Sequence, residues 1–168
     1  MTGDDLRPRF LALLREHHKI VLKVASVYAR GRQDRSDLAQ EIAIQLWRSF
    51  PRYDPERRFS TWMYRVALNV GISFARRERT RDGRFEPLGD PRDIADDADE
   101  PDERLKQLHA VIAGLAELDR ALILLYLEER PHSEIAAILG ISETNVATKL
   151  GRLKQRLRGQ MTAAATET

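Results

Sequence analysis

Ser133–Arg158 reads SEIAAILGISETNVATKLGRLKQRLR. Ile135, Ala136 and Leu139 fall at i, i+1 and i+4, which gives one helix an apolar stripe. Gly140 follows at once, where a helix needs a residue that tolerates positive φ in order to stop and turn. Ile141 plugs that turn, and Ser142 is placed to cap the next helix. There Val146, Leu150, Leu153 and Leu157 recur at helical spacing, and Thr144, Asn145, Thr148, Lys149 and Arg152 take the other face. Ala136 is small, as a close helix crossing requires. The stretch is a helix-turn-helix running into a basic helix, and the second helix of such a pair enters a DNA major groove. Lys149, Arg152, Lys154, Arg156 and Arg158 have no acidic residue among them, which suits a phosphate backbone. A helical hairpin with a solvated basic face would explain the charge, but not the turn glycine, plug and cap together.

Working outward, the formal net charge of +2 over 168 residues conceals a strong asymmetry. The chain up to Arg81 is rich in arginine, Asp82–Glu103 is strongly acidic, and the remainder is mildly basic. There is no cysteine, which excludes disulfides and thiolate metal sites and fits a reducing compartment. No apolar run approaches membrane-spanning length, and MTGDDLRPRF has neither the basic start nor the apolar core of a signal peptide. A cytoplasmic location is expected.

Leu6–Ala29 is helical in pattern, with Leu6, Phe10, Leu13, Leu14, His17, Ile20, Val21, Val24 and Val27 on one side and Gly31 as its stop. Asp34 or Ser36 is the expected cap of a second helix, in which Leu38, Ile42, Leu46 and Phe50 repeat every four residues until Pro51. Ser60 is the expected cap of a third, Thr61–Arg77, with Met63, Val66, Ala67, Val70 and Phe74 inward. From Thr80 to Pro101 the periodicity vanishes among glycines, prolines and acids, the composition of a flexible linker. Helical patterns resume near Asp102 and again over Leu118–Glu128, and Ala163–Thr168 should fray. The expected fold is all-α: two small helical domains, 1–79 and 102–168, joined by a flexible acidic linker, 80–101. Neither buries a large core, so each should be modestly stable alone.

The block Asp37–Arg77, DLAQEIAIQLWRSFPRYDPERRFSTWMYRVALNVGISFARR, interleaves aromatic and basic residues around Arg58, Phe59, Trp62, Tyr64 and Arg65. Aromatic faces among arginines suit single-stranded DNA, since any base can stack while phosphates meet the cations. Phe74 reads as core, and for Trp62 and Tyr64 core and surface readings are both open. The spacing DLAQEI…LWRSF…RFSTWMYRVALNV…ARR, then EIAAILGIS after a linker, resembles the extracytoplasmic-function group of sigma-70 family RNA polymerase sigma factors. The resemblance covers Phe10–Arg158 and rests on two independent blocks in order.

It implies an alternative sigma factor that binds core RNA polymerase and directs promoter recognition, melting and initiation. Asp37, Gln40, Glu41, Gln45 and Trp47 match the segment that docks on the clamp helices of the largest polymerase subunit. Loop residues Tyr53–Phe59 with Arg58, Phe59, Trp62, Arg65 and Asn69 match the part that melts and reads the −10 element, a step that needs a base held out of the stack. Asn69 offers a base edge both donor and acceptor, while Arg76 and Arg77 hold backbone phosphates. Thr144, Asn145, Thr148, Lys149, Arg152 and Arg156 match the reader of the −35 element. The acidic linker is similar in position to a segment threaded toward the RNA exit path, where it would imitate nucleic acid; a plain soluble spacer explains its charge equally. The resemblance also implies an anti-sigma partner. Two departures stand out: Thr144-Asn145-Val146-Ala147 replaces the usual glycine-threonine-valine-basic start of the recognition helix, and Gly151 sits inside that helix.

An enzyme is the first competing class. The histidines His17, His18, His109 and His132 lack metal-ligand spacing, no glycine-rich phosphate loop occurs, and Glu128-Glu129 has no acid–base partner. Neither enzymatic activity, cofactor nor metal is expected. A dimeric helix-turn-helix repressor would explain the C-terminal half but leave Asp37–Arg77 without a role.

Overall fold

The computed structural model describes residues 3–82 and 103–166. Seven α-helices occur among them, and no strand. Helix α1 (Gly3–Tyr28), α2 (Gly31–Ser49) and α3 (Phe59–Asp82) pack on one another, with a 3-10 turn at Phe50–Arg52 after α2. Helices α4 (Glu103–Ala113), α5 (Glu117–Leu127), α6 (His132–Leu139) and α7 (Glu143–Thr166) form the second unit.

Local chemistry accounts for most boundaries. Leu38, Ile42, Leu46 and Phe50 all lie in the core, as their four-residue spacing predicts. Gly140 adopts φ +70°, and both its N–H and that of Ile141 donate to the Ala136 carbonyl, which closes α6. The Ser142 hydroxyl accepts from the Asn145 N–H at 3.1 Å and caps α7. Pro131 precedes the first residue of α6, where its fixed φ and missing N–H do no harm.

Other expectations need correction. α2 begins at Gly31, whose φ of +73° starts the helix instead of stopping α1, and it has no side-chain cap, so neither Asp34 nor Ser36 serves as one. α3 begins at Phe59, which puts Ser60 inside the first turn, and it runs to Asp82 through the first residues assigned to the linker. The rest of that linker lies outside the described residues, and so does any role for it. α7 continues to Thr166 across the segment expected to fray. Backbone dihedrals inside α1 break at His17 (φ −114°, ψ 17°).

The larger difference concerns α3. Met63 and Ala67 are buried as expected, but so are Tyr64 and Leu68, which face away from that stripe. α3 is central: α1 and α2 cover one side, and α5 and α6 pack against another. α6 behaves likewise, with Ile138 buried beside Ile135 and Ala136, because it touches α3 and α5 as well as α7. The two helical units therefore share one continuous cluster of buried side chains. Glu129, at φ 58°, makes the sharp turn between α5 and α6 that carries Arg130 toward α3.

Candidate polymerase and promoter interfaces

Three surfaces carry the residues singled out by sequence. The first is on α2. Asp37, Gln40 and Trp47 are exposed, and Glu41 and Gln45 are half-buried. Trp47 is held by its inner edge against Phe10, ring centroids 5.2 Å apart, while 41% of it faces solvent. Helical spacing puts Ile44 between Gln40 and Trp47 on the same strip, and it is 50% exposed. Sequence reading passed over Ile44, although its position four residues after Gln40 and three before Trp47 was visible. An exposed isoleucine beside an exposed tryptophan, rimmed by amides and carboxylates, has the composition of a protein-docking face.

The second surface joins the turn after α2 to the first half of α3. Phe50, Tyr53, Phe59 and Trp62 form one aromatic cluster, with Tyr53–Trp62 and Phe59–Trp62 centroids 5.1 and 5.3 Å apart. Phe59 is buried within it and His17 packs on its ring, so Phe59 offers little open face. Trp62 is half-buried and keeps part of its surface in solvent. Tyr64 belongs to the core, and Phe74 is half-buried against it. Arg58, Arg65, Asn69 and Arg76 are exposed, and the last three line one strip of α3 with Trp62. Arg77 departs from this strip: its Nη2 donates to both Glu41 carboxylate oxygens at 2.9 and 3.2 Å, which ties α3 to the α2 face. The Tyr53 hydroxyl donates to the Arg57 carbonyl, and Glu56 N–H donates to Asp54 Oδ1 at 3.0 Å, so the loop before α3 is internally braced.

The third surface is on α7. Val146, Leu150 and Leu153 are buried, with Leu157 packed beside them. Thr144, Asn145, Thr148, Arg152 and Arg156 are exposed, and Lys149 is half-buried. These six polar positions share the opposite face, within an arc of about 140°. No Cβ added at Gly151 would meet a neighbour within 4 Å, so Gly151 permits no close contact within the protein itself. Lys154 instead sits over the Tyr126 ring at 4.1 Å and is drawn away from the exposed polar face.

Comparison with known proteins bears on these surfaces. The Sigma-70 region 2 family matches residues 13–81, and Sigma-70, region 4 matches residues 105–157. The ECF RNA polymerase sigma factor SigE of Mycolicibacterium smegmatis is 30% identical over 178 residues, spanning 99% of this chain and 67% of that protein. The corresponding SigW of Bacillus subtilis is 30% identical over 138 residues, 74% of each chain. Among solved structures, the sigma factor RpoE bound to the anti-sigma factor NepR from Bartonella quintana shares the fold. Its TM-score is 0.69 and its identity 17%, over 94% of this chain and 97% of that one. CnrH in complex with the cytosolic domain of CnrY matches with TM-score 0.53 and 20% identity, over 96% and 90%. With a region 2 match over the aromatic–arginine block and a region 4 match over the helix-turn-helix, the chain belongs to the extracytoplasmic-function group of sigma-70 family RNA polymerase sigma factors.

Proposed function

We propose a division of labour among the three surfaces of this alternative sigma factor. The α2 strip of Asp37, Gln40, Ile44 and Trp47 docks on core RNA polymerase. Trp62, Arg65 and Asn69 receive the opened −10 strand, with Arg58 and Arg76 on its phosphates and Phe59 supporting Trp62 from below. The α7 face of Thr144, Asn145, Thr148, Lys149, Arg152 and Arg156 reads the −35 element as duplex. The observation that carries this reading is the clean split of α7 into a buried apolar face and an exposed face of hydroxyl, amide and basic groups, the arrangement a major groove accepts. A repressor acting without polymerase would leave the region 2 match unused.

The domain assignment follows, 1–79 for core and −10 and 102–168 for −35, with α3 carrying the first unit to Asp82. An anti-sigma protein is the expected regulator, since two similar sigma factors are known in complex with protein partners. No helix among the described residues is long and apolar enough to cross a membrane, and the chain is proposed to work where core polymerase is, in the cytoplasm. A regulator that lends its surfaces to polymerase needs no catalytic group of its own.

The test is run-off transcription with core polymerase, paired with a pull-down of core enzyme. Ile44→Asp with Trp47→Ala removes the apolar anchor and leaves the Glu41–Arg77 pair intact. Anchors of this kind are worth about 2 kcal/mol or more each, so core retention should fall at least thirtyfold, on the order of 2 kcal/mol. Unchanged retention by a folded double variant would remove α2 from the interface.

A further inference from the structure

His17 and His18 are adjacent in the sequence, and none of the three surfaces gives either a role. The helix break at His17 separates them. His18 Nδ1 donates to the Arg15 carbonyl at 3.0 Å, which supplies a donor in the turn that the break interrupts. A carbonyl only accepts, so Nδ1 carries the proton there. His17 is directed inward instead. Its ring lies on Phe59, centroids 5.3 Å apart and planes tilted by 41°. Its Nε2 lies 4.0 Å from the exposed Glu16 carboxylate. The imidazole thus turns a flat face to the core and a polar edge to solvent.

The break lies where α1 passes over the aromatic cluster. Phe10, ahead of it, packs on Phe50 at 5.1 Å, and His17, at it, packs on Phe59. Phe59 opens α3, and Trp62 follows on the next turn of the same side, centroids 5.3 Å apart and planes tilted by 42°. Phe50 and Tyr53 meet Phe59 edge to face, at 79° and 88°. His17, Phe59 and Trp62 therefore make a run of tilted rings from α1 to the half-buried indole. Ring pairs hold preferred tilts because faces are negative and edges positive, so the plane of one ring limits that of the next. Phe59 is only 7% exposed and cannot swing out to choose another. A leucine would fill the place of His17, as Leu13 and Leu14 do on the same side of α1, but it has no plane to impose.

We propose that His17 is a positioning residue for strand opening: from the break in α1 its ring fixes the plane of Phe59, and through Phe59 the pose in which Trp62 meets an unpaired −10 base. The role rests on the assignment of Trp62 to the −10 strand given above. His17 itself touches no DNA. It reduces the ordering that Trp62 must undergo when the base arrives. Its effect therefore falls on opening, and not on core docking or on the closed complex.

Holoenzyme assembled with the full chain tests this on a promoter selected with the wild-type protein, with opening followed by permanganate reactivity over time. His17→Leu keeps the apolar contact and removes the ring plane; His17→Phe keeps the plane. His17→Leu should leave the urea midpoint, core retention and closed-complex affinity at wild-type values. It should slow opening by about three- to tenfold, the scale of one aromatic pair. His17→Phe should open within about twofold of the wild-type rate. In a Trp62→Ala background, His17→Leu should slow opening by less than about twofold, because the ring through which it acts is gone. A merely structural His17 would give equal losses in both backgrounds, and that result overturns the role. So does His17→Phe as slow as His17→Leu, or a fall in opening across the variants that only tracks their urea midpoints. Wild-type opening by His17→Leu, with Trp62→Ala slow, overturns the role of His17 alone. Wild-type opening by Trp62→Ala instead removes Trp62 from the −10 site, and the role of His17 falls with it.

Discussion

At the scale of single residues, Gly71 and Tyr28 set how closely α1 and α3 approach. A Cβ at Gly71 would lie 2.6 Å from Tyr28 Cδ2, a contact that the buried ring cannot relieve by rotating away. Gly71→Ala would gain about 1 kcal/mol of helix propensity, but overpacking typically costs about 1–3 kcal/mol, so the clash wins. The variant should show a lower urea midpoint. Tyr28 also joins the two units through the Glu117 carbonyl. Burial raises the pKa of its phenol above the usual range, and the nearby Arg120 only partly offsets this. Burial likewise raises that of Tyr64, with Glu128 adding to the effect. Because the folded state prefers both phenols neutral, their contribution is intact below the ordinary tyrosine pKa of about 10 and is lost as pH rises past it. Tyr28→Phe should cost about 1 kcal/mol at neutral pH through the lost hydrogen bond, and should flatten, without abolishing, the fall in stability between about pH 9 and 11. Chemical denaturation at the two pH values measures both effects. Phe59 shows the limit of reading residue types: an aromatic beside arginines suggests an open stacking face, and neighbours in space bury the ring.

At the scale of elements, α7 is the most legible helix in the chain. Its apolar spacing, its Ser142 cap and the positive φ of Gly140 before it were all visible in one stretch of sequence. We propose two kinds of contact on its polar face: Lys149, next to Thr148 near the start of the helix, for bases, and Arg152, further along, for phosphate. Lys149→Ala should relax preference at one promoter position by about 1–3 kcal/mol, whereas Arg152→Ala should weaken all sequences alike and reduce the salt slope by about one unit. Titration of duplex DNA at several salt concentrations distinguishes the two; the same pattern from both variants would reverse or merge the assignments. α2 was legible only in part. Its buried side followed from periodicity, but its exposed side was assembled from polar residues alone, and Ile44 was assigned to neither.

At the scale of the whole molecule, two units that sequence reading kept apart form one body. Around the apolar cluster they share, two ion pairs tie them, Lys23–Glu128 and Arg79–Glu117, with hydrogen bonds from Thr61 to Glu134 and from Arg130 to Ser60. The exposed pair is worth little alone, about 0–1 kcal/mol, while the covered carboxylates contribute more because solvent screens them less. Calorimetry at low ionic strength should therefore show one cooperative unfolding transition. At about 1 M salt, where the screening length falls to about 3 Å, the transition should broaden or divide into two. Two transitions already at low salt would mean that the units unfold independently.

The sequence by itself determined the all-helical class, the helix-turn-helix, the order of the two units and the family, because each rests on spacing along the chain, and periodicity, caps and turn glycines act over a few residues. Tertiary structure alone decided that α3 and α6 are buried on two sides, that Arg77 braces Glu41, and that Arg130 and Glu134 grip the start of α3. These contacts join residues 36 to 73 positions apart. A helix announces a first apolar stripe by its period; the second contact faces here mix Tyr64, Leu68 and Ile138 with threonine and charged groups, and their burial depends on a partner that no local pattern names.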